Sequence, residues 1–508
     1  GGSGNKVNAP YTSIVGGLSN KITSTRSFIG GGFDNVIKTH GSDSGIGYNV
    51  IGGGVCNRIC KNPLNGSDAI LYKSFIGGGE RNIIDGSHTA SIVGGFCNKN
   101  QGEKAFIGGG SQNCILSACD NSGSRAFIGA GSQNRILSGA CSSVIVGGNN
   151  NTNHGGNLSF IGAGACNVLS GSGSFTNKGG LSAHTSAIVA GSGNFNASSR
   201  GSFIGAGNNN CIDACSDAFI GAGKHNTITL CDRGGIVAGI CNHLSADNAF
   251  IGAGTRNCVD GNGATIVAGY SSLNIGTQSF IGAGHSNKVL SAYGGIVAGC
   301  NNHILSGSHP TLCSVGNFIG AGENNRLFGN HDSSIVGGRC NALSGNRSAI
   351  LGGSKNVVGP IADLGGSLFG ASLSGGGLLG RNSTVAGGAS SRAHGNEVFV
   401  GAGCCNQAVG GSSFVGSGNT NQAWGNCSVV VGGTSGQATG AAGFVGAGRR
   451  NINKGGSSAI LAGQDHLIQG FTSSIVAGIS SCINGTGARS FIGAGYRLSA
   501  FEADSGLV

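Results

Sequence analysis

Cysteine is the residue best suited to chemistry in this chain, and it does not fall at random. Nineteen cysteines stand among 508 residues, with twelve histidines. Counted from an isoleucine or valine that recurs about every fifteen residues, cysteine returns at +5 as Cys56, Cys97, Cys166, Cys241, Cys340 and Cys405. It returns at +7 as Cys114, Cys211 and Cys258. Repeated slots read as a small side chain fitting a stacked site. Disulfides between adjacent coils or chains are the rival reading, since like slots stack about 4.8 Å apart. Nineteen is odd, so at least one thiol is free or paired outside the chain.

Other chemistry finds no constellation. Cys56 with Cys60, Cys211 with Cys215 and Cys300 with His303 have metal-pair spacing, but none has a second pair at zinc-site distance. The expectation is no metal and no cofactor. Glycine-rich phrases recur without the Lys-Ser/Thr of a phosphate loop or a following helical pattern. A nucleophile elbow, a His-Glu-x-x-His and an isolated carboxylate pair are all missing from the sequence, so no catalytic residue is named and the chain reads as a non-enzyme. Asn-x-Ser/Thr sequons at Asn65, Asn157, Asn196, Asn346, Asn382 and Asn484 are about as many as this composition produces by chance.

Composition narrows the class. Glycine fills 105 positions, proline 4, methionine none, and charged residues make up 9%, whereas an ordinary globular domain has about 25% charge. Collagen needs glycine at every third position and abundant proline, and the sequence has neither. Disorder needs few apolar residues, yet 38% are hydrophobic and recur on schedule. The net charge of +10 is spread without a Lys/Arg run longer than two, which gives no nucleic-acid footprint. Glycine also interrupts every apolar run before it could span a bilayer as a helix.

What must position these residues is a repeat. The marker runs through Ile14, Ile29, Ile51, Ile76, Ile92 and Ile107, on to Ile350, and resumes at Val385 after a blurred stretch (359–384). The commonest step is 15. The chain reads as a single continuous array over 1–508, and both termini cut through a repeat, so the expectation is an internal slice of a longer array.

Calling the marker position 0, side-chain alternation puts −1 and +1 on one face of a strand and the marker on the other. Phe203, Phe250 and Phe280 at −1 are followed by glycine at +1; Ala187, Gly235 and Thr265 are followed by valine. Large-then-small beside small-then-large suggests interdigitating layers, each Phe filling the hollow in the next copy and contributing about 1.5–3 kcal/mol. The markers, Ile251 and Ile281 among them, make the opposite face apolar too, so something must cover the second face, most simply identical chains. At +6 asparagine recurs, as Asn210, Asn257 and Asn287, and suits a left-handed corner and a stacked ladder. A second apolar residue at +8, such as Ile37, Ile115 and Ile212, marks a second short strand. Two short strands and two turns make one coil of an all-β parallel solenoid. Some thirty coils would extend on the order of 140 Å.

The stretch 401–446 carries N-x-A-x-G-x-x-S-x-V-G-x-G. It resembles the head repeats of trimeric autotransporter adhesins and the related repeats of phage and viral tail fibres. The resemblance implies a left-handed parallel β-roll with three chains side by side. Adhesins of this type are poor in cysteine, so the nineteen here point to a virus rather than a bacterial surface.

The expected function is a structural fibre: a homotrimeric, extracellular shaft on a virion or cell surface, serving attachment. Insertions 38–49, 60–73, 116–125, 170–186 and 305–316 enter at one corner. A rigid scaffold displaying variable loops is a common binding arrangement. His40, Tyr48, Tyr72, Phe175, Lys178 and His184 are therefore candidate contacts to a host glycan or receptor. Alternatives are a bacterial trimeric adhesin, or a single-chain solenoid binding ice or polysaccharide. The sequence has no regular threonine row for ice and no clustered acids for hydrolysis.

Overall fold

The structure, a computed structural model, describes residues 1–38, 47–60, 72–86, 88–116, 125–137, 140–154, 158–171, 185–197, 199–305, 315–328, 331–359, 381–485 and 489–501. These residues form 57 strands of two or three residues and no helix. They divide into two compact units, Gly1–Thr255 and Arg256–Val508, and each is a parallel β-solenoid. Insertions at 170–186 and 305–316, and the blurred stretch 359–384, lie largely outside the described residues.

Each coil carries a first strand ending on the marker, such as Phe28–Ile29, and a second strand around +8, such as Val36–Lys38. Like strands pair in parallel with the coils before and after. Ile29 lies in register with Ile14 and Ile51, and Ile37 with Ile22 and Ile59. In the second unit Ile281 pairs with Ile266 and Ile296 in the same way. A third line of parallel bridges, unexpected from sequence, runs through +4: Leu18 to Phe33 to Val55.

The core lies between the two strand sheets of each unit. Markers such as Ile29, Ile251 and Ile281, and +8 residues such as Ile37 and Ile212, are fully buried. Inward with them point Asn at +6 and small residues at −2 and −5, such as Ser27 and Ser24. Burying each isoleucine contributes about 1.5–3 kcal/mol.

The Asn row is a ladder, as expected. The Asn20 side-chain Oδ1 accepts the Asn35 backbone N–H at 3.0 Å, and Asn35 Oδ1 accepts that of Asn57 at 3.0 Å. Asn35 Nδ2 donates to the carbonyls of Gly31 (3.0 Å) and of Gly54 in the next coil (2.8 Å). Asn210, Asn257 and Asn287 sit in the same fully shielded row. One detail is corrected: the left-handed residue is the one before it, at +5, as at Ser19 (φ 62°) and Asp34 (φ 50°). The Asn side chain fixes the corner by bonding, not by its own φ.

Two more left-handed positions complete the coil, one at −3 (Arg26, φ 49°) and one at +3. Position +3 is glycine because space allows nothing else. A Cβ on Gly32 would lie 2.1 Å from the Gly54 carbonyl oxygen and 2.7 Å from Asn35 Nδ2, at φ +97°.

Candidate functional site

With the inner residues committed to packing, what the chain offers a partner is its outside, and its two sheets differ there. The second-strand sheet faces outward with a mixed row at +7: Lys21, Arg58 and Arg135 in the first unit and Arg326, Arg392 and Gln407 in the second, interspersed with apolar residues such as Ile83, Phe195 and Leu467. The first-strand sheet faces outward with −1 and +1, and in nearly every described coil at least one of the two is a large apolar residue. Val15, Val146, Val237 and Phe250 in the first unit, and Phe280, Val297, Val336 and Phe414 in the second, are each 36–61% exposed.

This corrects the expected place of the phenylalanines. Alternation holds, but the marker faces in and the Phe face is the uncovered one: Phe250 is 39% and Phe280 40% exposed, and Phe203 is half-buried. Large and small are complementary chiefly within one coil. Phe203 Cε1 lies 3.3 Å from where a Cβ on Gly205 would be, and Phe280 lies equally close over Gly282. Between coils the ring covers a −1 glycine in two places, Phe250 at Gly235 and Phe318 at Gly295. Elsewhere phenylalanines stack on one another: Phe106 on Phe127 (5.4 Å), Phe203 on Phe219 (5.6 Å) and Phe399 on Phe414 (5.4 Å). Strict alternation of large and small copies is therefore not the packing rule.

A second surface runs along the −3 corner of the first unit. Tyr11, Arg26 and Tyr48 occupy that position in successive coils, all left-handed. The Arg26 guanidinium lies 5.6 Å from both tyrosine rings, a cation between two π faces. Next along, Tyr72 packs against His88 at 4.7 Å, with Lys73 Nζ 5.7 Å from the Tyr72 ring. Burial lowers the His88 pKa against an opposing pull from Glu103. Tyr48 and Tyr72, chosen from sequence, thus belong to one aromatic and cationic edge. Tyr11 and Arg26 were missed, although their spacing to the marker matches that of Tyr48. His40, Phe175, Lys178 and His184 lie outside the described residues.

The thiols correct a further expectation. Cysteines at +5 do not fill a buried stacked slot: Cys166 and Cys241 are exposed and Cys56, Cys97, Cys340 and Cys405 partly so. They hold the left-handed corner, as at Cys56 and Cys97 (φ 55° each). At +7, Cys258 faces outward on the second strand, and burial with Asp260 beside it raises its pKa to about 11. Cys300 Sγ lies 3.9 Å from His285 Nδ1 of the preceding coil, and Cys56 Sγ lies 3.9 Å from an Asp34 carboxylate oxygen. Cys141 is disulfide-bonded. Among the described residues no three His, Cys, Asp or Glu converge as a metal site would need.

No protein-family pattern matches the chain, and no curated protein is similar to it in sequence.

Proposed function

We propose that this chain is a structural fibre protein. Three copies lie side by side through the apolar outward face of the first-strand sheet, forming an extracellular shaft on a virion or cell surface. The observation that carries this reading is the asymmetry of the two outer faces. One mixes polar and charged residues with scattered apolar ones such as Ile83 and Phe195; the other repeats a large apolar residue at −1 or +1 in nearly every described coil, with Val146 at 47% and Val336 at 49% exposed. Contiguous exposed apolar surface of that kind marks an association site. A uniform repeat supplies the same patch at every level, which favours a second and third copy over an unrelated partner. The role is mechanical, with no catalytic residue assigned. The Tyr11–Arg26–Tyr48 edge and the inserted loops are the proposed contacts to a host glycan or receptor.

Sedimentation equilibrium tests this directly: a particle of three times 49.6 kDa is expected. A monodisperse monomer overturns it. Replacing Val237 and Phe250 together by aspartate is expected to weaken association while the β circular-dichroism signal persists, since neither side chain enters the core.

A further inference from the structure

We propose that Cys215 and Cys231 are a disulfide-forming pair that staples two successive coils of the first unit, closed by exchange with a low-molecular-weight disulfide such as oxidised glutathione. Both stand at −5, the inward corner slot that Ser24, Ala140, Ser199 and Ala246 fill in other coils, and each is 3% exposed. Their sulfurs are 3.8 Å apart. The flanking backbone is in register: Arg200, Ser216 and Asp232 form consecutive parallel bridges, and the Ser216 N–H donates to the Cys231 carbonyl at 3.2 Å. Parallel neighbours in register keep their Cα atoms about 4.8 Å apart, inside the roughly 4.4–6.8 Å span of disulfides. Side-chain rotation with a slight closing of the two corners brings the sulfurs to about 2.05 Å. The +5 cysteines differ, since the coil following Cys56 carries Arg81 there and the coil following Cys97 carries Gln112.

The step balances as two exchanges. Either thiol can donate across the 3.8 Å contact; with Cys231 donating, the Cys215 pKa falls to about 7, so Cys215 supplies the attacking thiolate. It bonds to one sulfur of the small disulfide and releases the other as a small thiol. Cys231 loses its proton, attacks the Cys215 sulfur of the mixed disulfide and releases the second small thiol. Two protein thiols are oxidised and one small disulfide is reduced to two thiols. Because both sulfurs are shielded, exchange belongs to folding or to transient opening of the corner, and the finished bond is sheltered from reductant.

Peptide mapping of the full chain tests the pair. Cleavage after Arg200, Lys224 and Arg233 leaves Cys215 with Cys211 in 201–224 and Cys231 alone in 225–233. After refolding in a glutathione redox buffer and alkylation of free thiols, the two peptides are expected joined, two hydrogens lighter than their sum apart from one alkyl group, with fragmentation placing that group at Cys211 and the bond at Cys215. Reduction is expected to lower the unfolding midpoint of the native protein by more than that of Cys231→Ala, since the Cys141 disulfide is broken in both and the Cys215–Cys231 bond only in the former; the slot accepts alanine because Ala246 fills it one coil on. Recovery of both peptides alkylated while Cys141 is oxidised overturns the proposal, as does a bond at Cys211. If Cys231→Ala fails to fold, the map of the unaltered chain still decides.

Discussion

Coils from Ile14 to Ile115 and coils from Val385 to Ile475 build the same cross-section from different material. In the first stretch both strands turn isoleucine inward in most coils, as at Ile51 with Ile59 and Ile76 with Ile84, all fully buried, with Asn100 the exception at the second strand after Ile92. Successive markers there stand from 15 to 25 residues apart, Ile14 to Ile29 at one extreme and Ile51 to Ile76 at the other. In the second stretch every step is 15 residues, and the coils from Val385 to Val430 pair valine with alanine, as at Val400 with Ala408 and Val415 with Ala423, before isoleucine returns at Ile460 with Ile468. Core volume and coil length vary, then, while a backbone frame does not. A Cβ on Gly54 would lie 2.1 Å from the next coil's carbonyl and 2.6 Å from its own Asn57 Nδ2; for Gly418 the same two distances, to Gly433 and Asn421, are 2.1 and 2.6 Å. The comparison teaches that glycine at +3 sets the geometry in both stretches, with asparagine at +6 supporting it in most coils and Ser391, Gly436, His466 and Ser481 standing there in the second, and the apolar residues fill whatever it encloses.

That contrast can be broken most forcefully at the frame. Gly54→Ala and Gly418→Ala are expected to cost roughly 3 kcal/mol or more each, and about equally, since both meet a left-handed φ and a carbonyl oxygen. Chemical denaturation of the two variants measures this, and a tolerated alanine in either stretch would show the frame to be local. Filling is the next lever. Ile59→Ala is expected to cost about 2–5 kcal/mol, and Ala423→Ile about 1–3 kcal/mol through overpacking. Were Ala423→Ile to raise the unfolding midpoint, the valine–alanine stretch would be underfilled rather than matched to its frame.

A smaller effect sharpens the comparison through pH. In the second stretch one ladder rung is a histidine: His466 donates its backbone N–H to Asn451 Oδ1 at 3.1 Å, and its Nδ1 accepts the Ser481 N–H at 3.2 Å. The ring is 1% exposed, and burial lowers its pKa below the usual histidine value. An unfolded histidine titrates near 6.5. The neutral rung's contribution is therefore complete above about pH 6.5 and is lost as pH falls toward the lower folded value. His466→Asn is expected to flatten that acid limb without changing neutral stability much. An unchanged pH profile would mean that Nδ1 is not the acceptor. Least is expected from Arg450→Ala: Arg450 bonds Asp465 on the open surface, where ion pairs contribute little. Its unfolding midpoint should match that of the parent chain.

Much of this frame is legible in the residues themselves. The marker register, the second strand at +8 and the Asn row follow from period and composition, and the ladder hydrogen bonds bear them out. Which face of the first strand points inward was not legible, because a period of two is symmetric and both faces are apolar. The sign was in the variability: position 0 stays Ile or Val, whereas −1 moves among Phe, Ala, Ser, Thr and Gly, as an outward position can. Left-handed backbone at +5 was hidden because Ser19, Asp34, Cys56 and Arg81 share no side-chain property; the constraint there comes from the asparagine that follows. Of the outer surface, Tyr48 and Tyr72 were found as loop aromatics. Tyr11 and Arg26 were passed over because they lie in coils without an insertion.

Each coil's backbone hydrogen bonds run to the coil on either side of it, and inserted residues enter at a corner without moving the register of Ile29 against Ile51. A gene encoding such a stack can therefore gain or lose whole fifteen-codon units by unequal recombination, and every surviving neighbour still meets a partner of matching geometry. Reach then becomes a quantity that heredity adjusts in steps of a single rung, with no need to redesign the rest.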